Sequence, residues 1–388
     1  MQQFSLPYGH SSPERTLLSL CGEPPEVVIW SINSTGHRSY FVKLLLTKLI
    51  SSKTPSLLVN LDHSEGLESV LDYVSQNGNH RDHIERMSMS LHAVGKLVRS
   101  KTAGQKDVTH VCLDGDRGFL LLPLMGVWTA RVLLVRSPCV FPRARTARAR
   151  LKLVLVRIFE VLGFTFFHLS HPGAVLTRRV ALVRDPSPFL LHDCVSIGPG
   201  QVTKEIPAKL STKRVAIFGS IDSRKQPELV LQACSRLPGV ELRVAGKWES
   251  DSHFEEFLTL ASRLGVTVEA RNAFLDDSEF FRQMSSVDVV AVMNQNLGSS
   301  GIALGAYDLG IPLVMSGSES MRQMAEDLGA IWADASVSDL AASLSEAFDT
   351  EMDPKKTTSE RGRHLPTLDE FCRPFLPDNE KHLRSNLP

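Results

Sequence analysis

Apolar and polar residues alternate along the chain in blocks that predict strands and helices in turn. Short apolar runs such as Glu26–Ile32 and Val287–Met293 are followed by glycine, serine or asparagine, and then by segments with helical spacing. Alternation of strand and helix predicts an α/β fold with parallel, doubly wound sheets.

The same pattern predicts where the individual strands and helices begin and end. The predicted strands are Glu26–Ile32, Ser56–Asn60, Asp107–Leu113, Arg131–Val135, Phe164–Leu169, Val180–Val183, Val215–Phe218, Leu242–Ala245, Val266–Ala270, Val287–Met293, Pro312–Met315 and Ala330–Trp332. The predicted helices are Tyr40–Leu49, Leu67–Val74, Arg117–Trp128, Pro227–Leu237, Ile302–Leu309 and Ser336–Phe348. Residues 89–98 fit either type of element.

The elements fall into two groups, and 388 residues are too many for one ordinary core. We expect a flexible N-terminal arm over residues 1–25, which is rich in Pro, Ser and Gly. A first Rossmann-like domain then covers residues 26–190, a linker residues 191–212, and a second Rossmann-like domain residues 213–360, followed by a C-terminal helix and tail over residues 361–388.

Composition and charge exclude some classes of function. The 43 basic and 43 acidic residues cancel, so no global charge favours nucleic acid. The six cysteines contain no CxxC pair, which indicates reduced thiols and neither a disulfide framework nor a zinc site. The N-terminal residues show no signal-peptide pattern, and no apolar run is long enough to cross a bilayer, so we expect a cytoplasmic protein.

One stretch, Val287–Val314, predicts a strand, a glycine-serine loop, a short helix and another strand. The helix starts directly after Gly298, Ser299, Ser300 and Gly301, so its free N–H groups and positive dipole end favour an anion, most often a phosphate. Gly36 occupies a similar strand-to-helix turn in the first half. The plainer interpretation, that these glycines only form turns, stays open.

Side chains at the carboxyl ends of parallel strands meet at one edge of the sheet. Asn33, Asp114 and Arg136 each follow a predicted strand of the first half, so we expect them to face a cleft. Asp114 is the first-half candidate for contact with a substrate.

A basic segment, Phe141–Arg157, interrupts the neutral background. It can form a solvated helix whose apolar residues pack inward. Alternatively, it can contact anionic lipid head groups at a membrane surface, as basic amphipathic helices do.

The second half resembles the donor-binding domain of GT-B glycosyltransferases, most closely the retaining family 4. VAIFGSIDSRKQPELVLQA, LRVAGKW, VTVEARNAFLDDSEFFRQMSSVDVVAVMNQN and GIALGAYDLGIPLVMSG follow the order of that family's motifs. In the first half, STGHRSYFVKLL resembles the family's first glycine loop, and TLDEFCRPFL resembles the C-terminal helix that crosses back to the first domain.

The resemblance implies a GT-B fold with an acceptor domain, a donor-binding domain and a central cleft. It implies transfer of a sugar from a nucleotide-diphosphate donor without a metal or other cofactor. Lys225 matches the family lysine, with Arg224 beside it as a second candidate catalytic cation. The implied donor-binding residues are Gly36, Gly219, Ser220, Lys225, Gly298, Ser299, Ser300, Gly301 and Gly305.

The chain departs from the family at its two glutamates. Alignment on Gly310 and Pro312 puts Leu297 and Gly305 at those positions, and Ser220 replaces the family arginine. Two other hypotheses therefore stay open: a GT-B-like protein that binds a nucleotide, a glycan or a partner without turnover, and an epimerase of sugar nucleotides on the same fold.

Overall fold

The computed structural model describes residues 14–20, 23–31, 37–61, 70–72, 74–75, 83–88, 90–105, 107–113, 118–134, 147–170, 181–186, 190, 212–275, 277–295, 300–350 and 365–377. These residues form two sheets, one in each half of the chain. Each sheet carries apolar clusters on both faces, as expected of sheets covered by helices.

The first sheet has eight strands in the order β4-β1-β3-β2-β5-β6-β7-β8. Their bounds are β1 Glu14–Leu20, β2 Val27–Ser31, β3 Ser56–Asn60, β4 His83–Ser88, β5 Thr109–Cys112, β6 Arg131–Leu134, β7 Thr165–Ser170 and β8 Leu182–Arg184. The strands from β3 to β8 in this order are parallel, whereas β1 is antiparallel to both β3 and β4.

Strand β1 corrects the predicted flexible arm, residues 1–25, at residues 14–20, while residues 1–13 lie outside the described residues. Leu17, Leu18 and Leu20 are buried in the core of the first half. The strand pairs with β3 and β4, which lie tens of residues further along the chain, so the neighbouring sequence gave little sign of it. Strand β4 was also absent from the predicted set, because HIERMS is short and mostly polar.

The first half contains α1 His37–Ser51, α2 Leu91–Lys101 and α3 Ala147–Val161, and the described residues 70–72 and 74–75 are also helical. Helix α2 settles the ambiguity over residues 89–98, since Ser90 Oγ caps it by accepting a hydrogen bond from Ala93 N at 3.3 Å. The helix predicted over residues 117–128 is wrong. Two 3-10 turns, Gly118–Leu120 and Pro123–Met125, stand there, because Pro123 lacks an N–H and Gly126, at φ 77°, ends the second turn.

The second sheet has six strands in the order β11-β10-β9-β12-β13-β14, and it is parallel throughout. Their bounds are β9 Lys213–Phe218, β10 Val240–Gly246, β11 Thr267–Asn272, β12 Val289–Asn294, β13 Leu313–Gly317 and β14 Ile331–Trp332. Every predicted strand of this half is confirmed to within a few residues.

The helices of the second half are α4 Pro227–Cys234, α5 Asp251–Leu264, α6 Asp277–Met284, α7 Gly301–Asp308, α8 Glu319–Leu328 and α9 Val337–Phe348. Two helix limits were predicted from a capping serine and a terminal glycine, and the structure contains both features. Ser336 Oγ caps α9 by accepting from Asp339 N at 3.2 Å, and Gly310, at φ 70°, follows the end of α7.

The C-terminal segment packs on both halves. Leu365 lies against the apolar cluster of the second half, while α10, Leu368–Cys372, and the turn that follows it lie in the core of the first. Phe371 is fully buried against Phe41, with ring centroids 5.5 Å apart, and Arg131 Nη1 donates to the Pro374 carbonyl at 3.2 Å. The domain limits that the sequence suggests remain predictions.

Within the described ranges, no helix combines the length and the apolar character that a bilayer crossing requires.

Candidate functional site

The order of the second sheet reverses between β9 and β12. From β9 the chain builds outward to β10 and β11, and from β12 it builds to β13 and β14 on the other side. Ligands of open parallel sheets bind beyond the carboxyl ends of the strands at such a reversal. The candidate site therefore lies where the segment after β9 meets the first turn of α7, which follows β12.

Gly219 stands at the end of β9 with φ +92°, a conformation that favours glycine. A Cβ added there would lie 3.0 Å from Lys225 Nζ and 3.6 Å from Ile302 Cδ1. Lys225 and the first turn of α7 thus flank Gly219 closely, although they come from two different loops.

The end of β10 packs closely against the same glycine, Gly219. A Cβ at Gly246 would lie 1.8 Å from the Gly219 carbonyl oxygen, and the Gly219 N–H donates to the Ala245 carbonyl at 3.1 Å. A matching contact follows the next pair of strands, where a Cβ at Gly317 would lie 2.0 Å from the Asn294 carbonyl oxygen. Glycines without side chains thus let the backbones converge at this edge of the sheet.

The loop between β9 and α4 is fixed by backbone contacts. Ile221 is fully buried, its N–H donates to the Lys247 carbonyl at 2.8 Å, and its carbonyl accepts from Glu249 N at 2.9 Å. Asp222 then caps a 3-10 turn, Ser223–Lys225, and Pro227 begins α4. The loop therefore presents Lys225 in one defined position.

Lys225 is half-buried, and its ammonium group turns back to the sheet, where Nζ donates to the Phe218 carbonyl. Burial lowers its pKa to about 8. The carboxylate of Asp222 opposes this effect, and the charge of Arg224 adds to it. With that pKa the group is still largely cationic at neutral pH, and one of its three protons is engaged by Phe218. Lys225 is not the fully solvated lysine that a helix start usually carries.

Arg224 is held by its own loop. Its backbone N–H donates to Asp222 Oδ1 at 3.0 Å, and its guanidinium binds the same carboxylate through Nε, also at 3.0 Å, and Nη2. Burial alone raises the pKa of Asp222, but the hydrogen bonds and charge of Arg224 outweigh it and the pKa is lowered. Of the two predicted cations, Arg224 is therefore neutralised locally, and Lys225 is the one that faces Gly219.

Helix α7 begins at Gly301, after Ser300. The Ser300 side chain caps the helix by accepting from Ala303 N at 3.4 Å, while its backbone N–H points to Met324 Sδ at 3.4 Å. The buried Gly301 is the first helical residue, where backbone N–H groups lack intrahelical acceptors. Gly305 lies buried in the second turn and brings no side chain to the site.

Four predicted site residues, Gly36, Asp114, Gly298 and Ser299, lie outside the described residues, as do Asn33 and Arg136. The strands before Gly36 and Asp114 are described, and β2 pairs directly with β5 through Trp30 and Cys112. The order of the first sheet also reverses between these two strands. Ser220 lies in the described loop and is exposed.

His110 lies on β5 and is partly buried beside Trp30. Its Nδ1 accepts a hydrogen bond from Trp30 Nε1 at 3.1 Å, and burial lowers its pKa to about 4. The neutral imidazole is therefore a structural acceptor, as a buried strand position suggests.

Sequence reasoning missed Asp222 and Met324. The pattern Asp-Ser-Arg after a strand is a turn-capping signal, so Asp222 could have been predicted from the sequence. The contact between Ser300 and Met324 joins two helices, and no local pattern predicts it. Within the part of the chain that the structure describes, no group of three or more His, Cys, Asp or Glu side chains is placed to hold a metal ion.

No family model matches the chain, and no curated protein matches its sequence. Solved structures do match, and they define the class of fold, which is the GT-B fold of glycosyltransferases with two Rossmann-like domains. The family 4 resemblance within that class stays a prediction.

Three of these structures illustrate the match. Anabaena HepE in complex with UDP aligns with a TM-score of 0.61 at 9% identity, over 92% of this chain and 99% of its own. A Rickettsia africae glycosyltransferase gives 0.58 at 10% identity, with 92% and 97% coverage. The sucrose-phosphate synthase of Thermosynechococcus elongatus gives 0.57 at 11% identity, with 93% and 97% coverage. At such identities the likeness establishes the fold alone.

Proposed function

We propose that this protein is a glycosyltransferase that moves a sugar from a nucleotide-diphosphate donor to an acceptor, which is a glycan, a lipid or a small molecule. One observation carries the proposal: the ammonium group of Lys225, the bare backbone of Gly219 and the first turn of α7 converge where the strand order reverses. The GT-B fold supports it, because solved structures with this fold include complexes with UDP and UDP-glucose.

The proposed reaction breaks the bond between the anomeric carbon and the distal phosphate. The acceptor oxygen forms the new bond, its proton passes to solvent or to a base, and the nucleoside diphosphate leaves. Catalysis then consists of positioning and neutralisation of the negative charge that develops on the leaving phosphate. No metal is assigned to this scheme, so activity should survive a chelator.

The proposed roles follow from the residues. Lys225 neutralises the diphosphate, Gly219 and Ser220 allow its close approach, and the Gly301 amide with the positive end of α7 binds the distal phosphate. Gly298, Ser299 and Ser300 belong to the same proposed loop. Arg224 contributes positive charge near Lys225. It binds phosphate only if its guanidinium leaves the carboxylate of Asp222. From the first half, Gly36 and Asp114 complete the proposed set, with Asp114 toward the acceptor or the sugar.

A thermal-shift panel with UDP, GDP, ADP and their sugar conjugates tests donor binding. A ligand at about a hundred times its dissociation constant should add roughly 2.7 kcal/mol of stability. We expect one nucleotide to stabilise the wild type and the effect to weaken in Lys225→Met, which keeps the alkyl chain but removes the charge. Lys213→Met is the matched control, because Lys213 is exposed at the opposite end of β9. The absence of a shift with every nucleotide would refute the donor site.

The pH dependence of binding tests the role of Lys225 separately. The cationic form binds the diphosphate, and the pKa of the free group is about 8. Affinity should therefore fall as pH rises through and above that value, with a shallower fall in Lys225→Arg. Calorimetry at a series of pH values measures it, and an affinity independent of pH between about 7 and 9.5 would contradict the assignment.

A second candidate function, binding without turnover, is favoured by one observation. The positions of the two family glutamates hold Leu297 and Gly305, and Gly305 is buried in α7 with no side chain to hydrogen-bond a sugar or ribose. Release of nucleotide from a bound donor separates the candidates. Release that requires an added acceptor supports the transferase, whereas binding with no release in a broad acceptor screen supports the binding protein. An altered sugar without acceptor would instead indicate an epimerase.

A further inference from the structure

The surface of α3 is apolar where it faces solvent. Leu151, Val154, Ile158 and Val161 recur every three or four residues, so they share one face of the helix. Their exposed fractions are 59%, 55%, 49% and 88%. This is not the inward-packed apolar side that a solvated helix would have.

The inward side of α3 is a different set of residues. Val156 is buried, and Phe159 packs edge-to-face on Phe119 with ring centroids 4.9 Å apart. Because the helix is already anchored by this face, the exposed stripe is not needed to fold the first half. Exposed apolar patches rimmed by polar residues mark sites of association.

Two turns of the first half lie beside α3. The turn Gly118–Leu120 contains Phe119, and a Cβ added at Gly163 would lie 3.6 Å from the Trp128 carbonyl oxygen, which places Trp128 beside the end of α3. Ten large apolar side chains are exposed among the described residues, and five of them lie on α3 or directly after it: Leu151, Val154, Ile158, Val161 and Leu162. We call these five the apolar face.

Charge distinguishes the possible occupants of the apolar face. The basic segment 141–157 contains six Lys and Arg residues and no Asp or Glu, although the whole chain is neutral, and one of the six, Arg157, pairs with Glu160 at 2.8 Å. A second copy of this chain in a symmetric dimer would bring the same basic segment against itself, and that arrangement is repulsive. The phosphates of a nucleic acid would attract the basic segment. They would not stabilise the aliphatic side chains of the stripe, which need an apolar partner.

We propose that the apolar face docks this protein on an anionic lipid bilayer, with α3 lying parallel to the membrane surface. Leu151, Val154, Ile158 and Val161 enter the boundary between head groups and acyl chains, Trp128 lies at the level of the head groups, and the basic segment attracts anionic lipids. The inference is independent of the proposed donor site, because α3 contributes none of the residues assigned to that site.

Co-sedimentation with vesicles of phosphatidylcholine alone, or with about one quarter phosphatidylglycerol, tests the inference. We expect the wild type to bind the anionic vesicles strongly and the neutral ones weakly. Leu151→Ser combined with Val154→Ser and Ile158→Ser should reduce binding to anionic vesicles by about tenfold or more. The matched control is Leu258→Ser with Phe274→Ser, which removes two exposed large apolar side chains described in the second half and should bind as the wild type does.

Charge is tested by a second variant, Arg143→Glu with Arg145→Glu, and by added salt. Both should lower the fraction bound to anionic vesicles. The inference is overturned if the wild type stays in the supernatant with anionic vesicles, or if the triple serine variant binds as well as the wild type. It is also overturned if the wild type is a dimer that the triple variant converts to monomer while neither binds vesicles. An unchanged melting temperature shows that each variant is folded.

Discussion

The second sheet is parallel in every pairing, whereas the first sheet has two antiparallel pairings at one edge, because β1 runs against both β3 and β4. In the second half, each strand passes through a short loop to the next helix, so neighbouring residues define most of the architecture. In the first half, β1 depends on partners far along the chain. The two halves share a plan, but the first half depends more on contacts between distant segments.

The same contrast separates the two candidate surfaces. The site near Lys225 is built from backbone convergence, with glycines at strand ends and a single inward cation. The apolar face is built from side chains that a helix leaves in solvent. The first arrangement suits a small anionic ligand, and the second suits an extended surface.

The largest effect is expected at β1. Leu18→Ala removes a side chain with no exposed area from the first core and should lower the free energy of unfolding by about 3 kcal/mol. Urea denaturation followed by circular dichroism measures the loss. Leu120→Ala, at a site that is 40% exposed, should cost far less. Equal effects of the two substitutions would mean that β1 is the loose arm that composition suggests.

The next effect is expected where β10 closes on β9. Gly246→Ala would place a Cβ 1.8 Å from the Gly219 carbonyl oxygen, so the backbone must shift, at a cost of about 2 to 3 kcal/mol. Gly265→Ala is the matched control, since its φ is +66° but no atom lies within 4 Å of the added Cβ. That control should cost about 1 kcal/mol from backbone conformation alone. Similar losses in both variants would show that the strand ends are not tightly packed.

The third effect is a dependence of stability on pH in the first half. Burial lowers the pKa of both His110 and His168 to about 4, with Lys152 and Arg157 adding to the effect at His168. The unfolded state binds more protons than the folded state between about pH 6.5 and 4, so stability present above that range is lost as pH falls. Each histidine contributes a slope of up to about 1.4 kcal/mol per pH unit.

His110→Asn tests this dependence, because its amide oxygen replaces Nδ1 as an acceptor for Trp30 but does not titrate. We expect the slope of unfolding free energy against pH to fall by as much as about 1.4 kcal/mol per unit between pH 4.5 and 6. Chemical denaturation at several pH values gives the slope. An unchanged slope would place the titration of His110 near its ordinary value in the folded state.

The sequence predicted what depends on neighbouring residues. The strands of the second sheet, the limits of α7 and the cap at Ser336 follow from short patterns, and the structure has them all. The prediction failed at β1 and β4, whose pairing is not local, and over residues 117–128, where the apolar pattern outweighed Pro123. The resemblance to the family predicted a lysine at position 225, in the segment after β9. Its hydrogen bond to the Phe218 carbonyl and its closeness to Gly219 were not predicted, because they depend on the three-dimensional course of the loop.

The C-terminal segment bears on the order in which the protein is made. Leu44 in α1 and Cys372 in α10 are in contact, with Cys372 Sγ donating to the Leu44 carbonyl at 3.5 Å, although 328 positions separate them. A ribosome therefore releases α1 long before Phe371 and Phe375 exist to cover it. Until then the nascent first half carries an open apolar groove beside Phe41, at a stage when such surfaces attract chaperones or neighbouring chains. Synthesis of the segment that carries Phe371 and Phe375 therefore completes a core whose other residues are made much earlier.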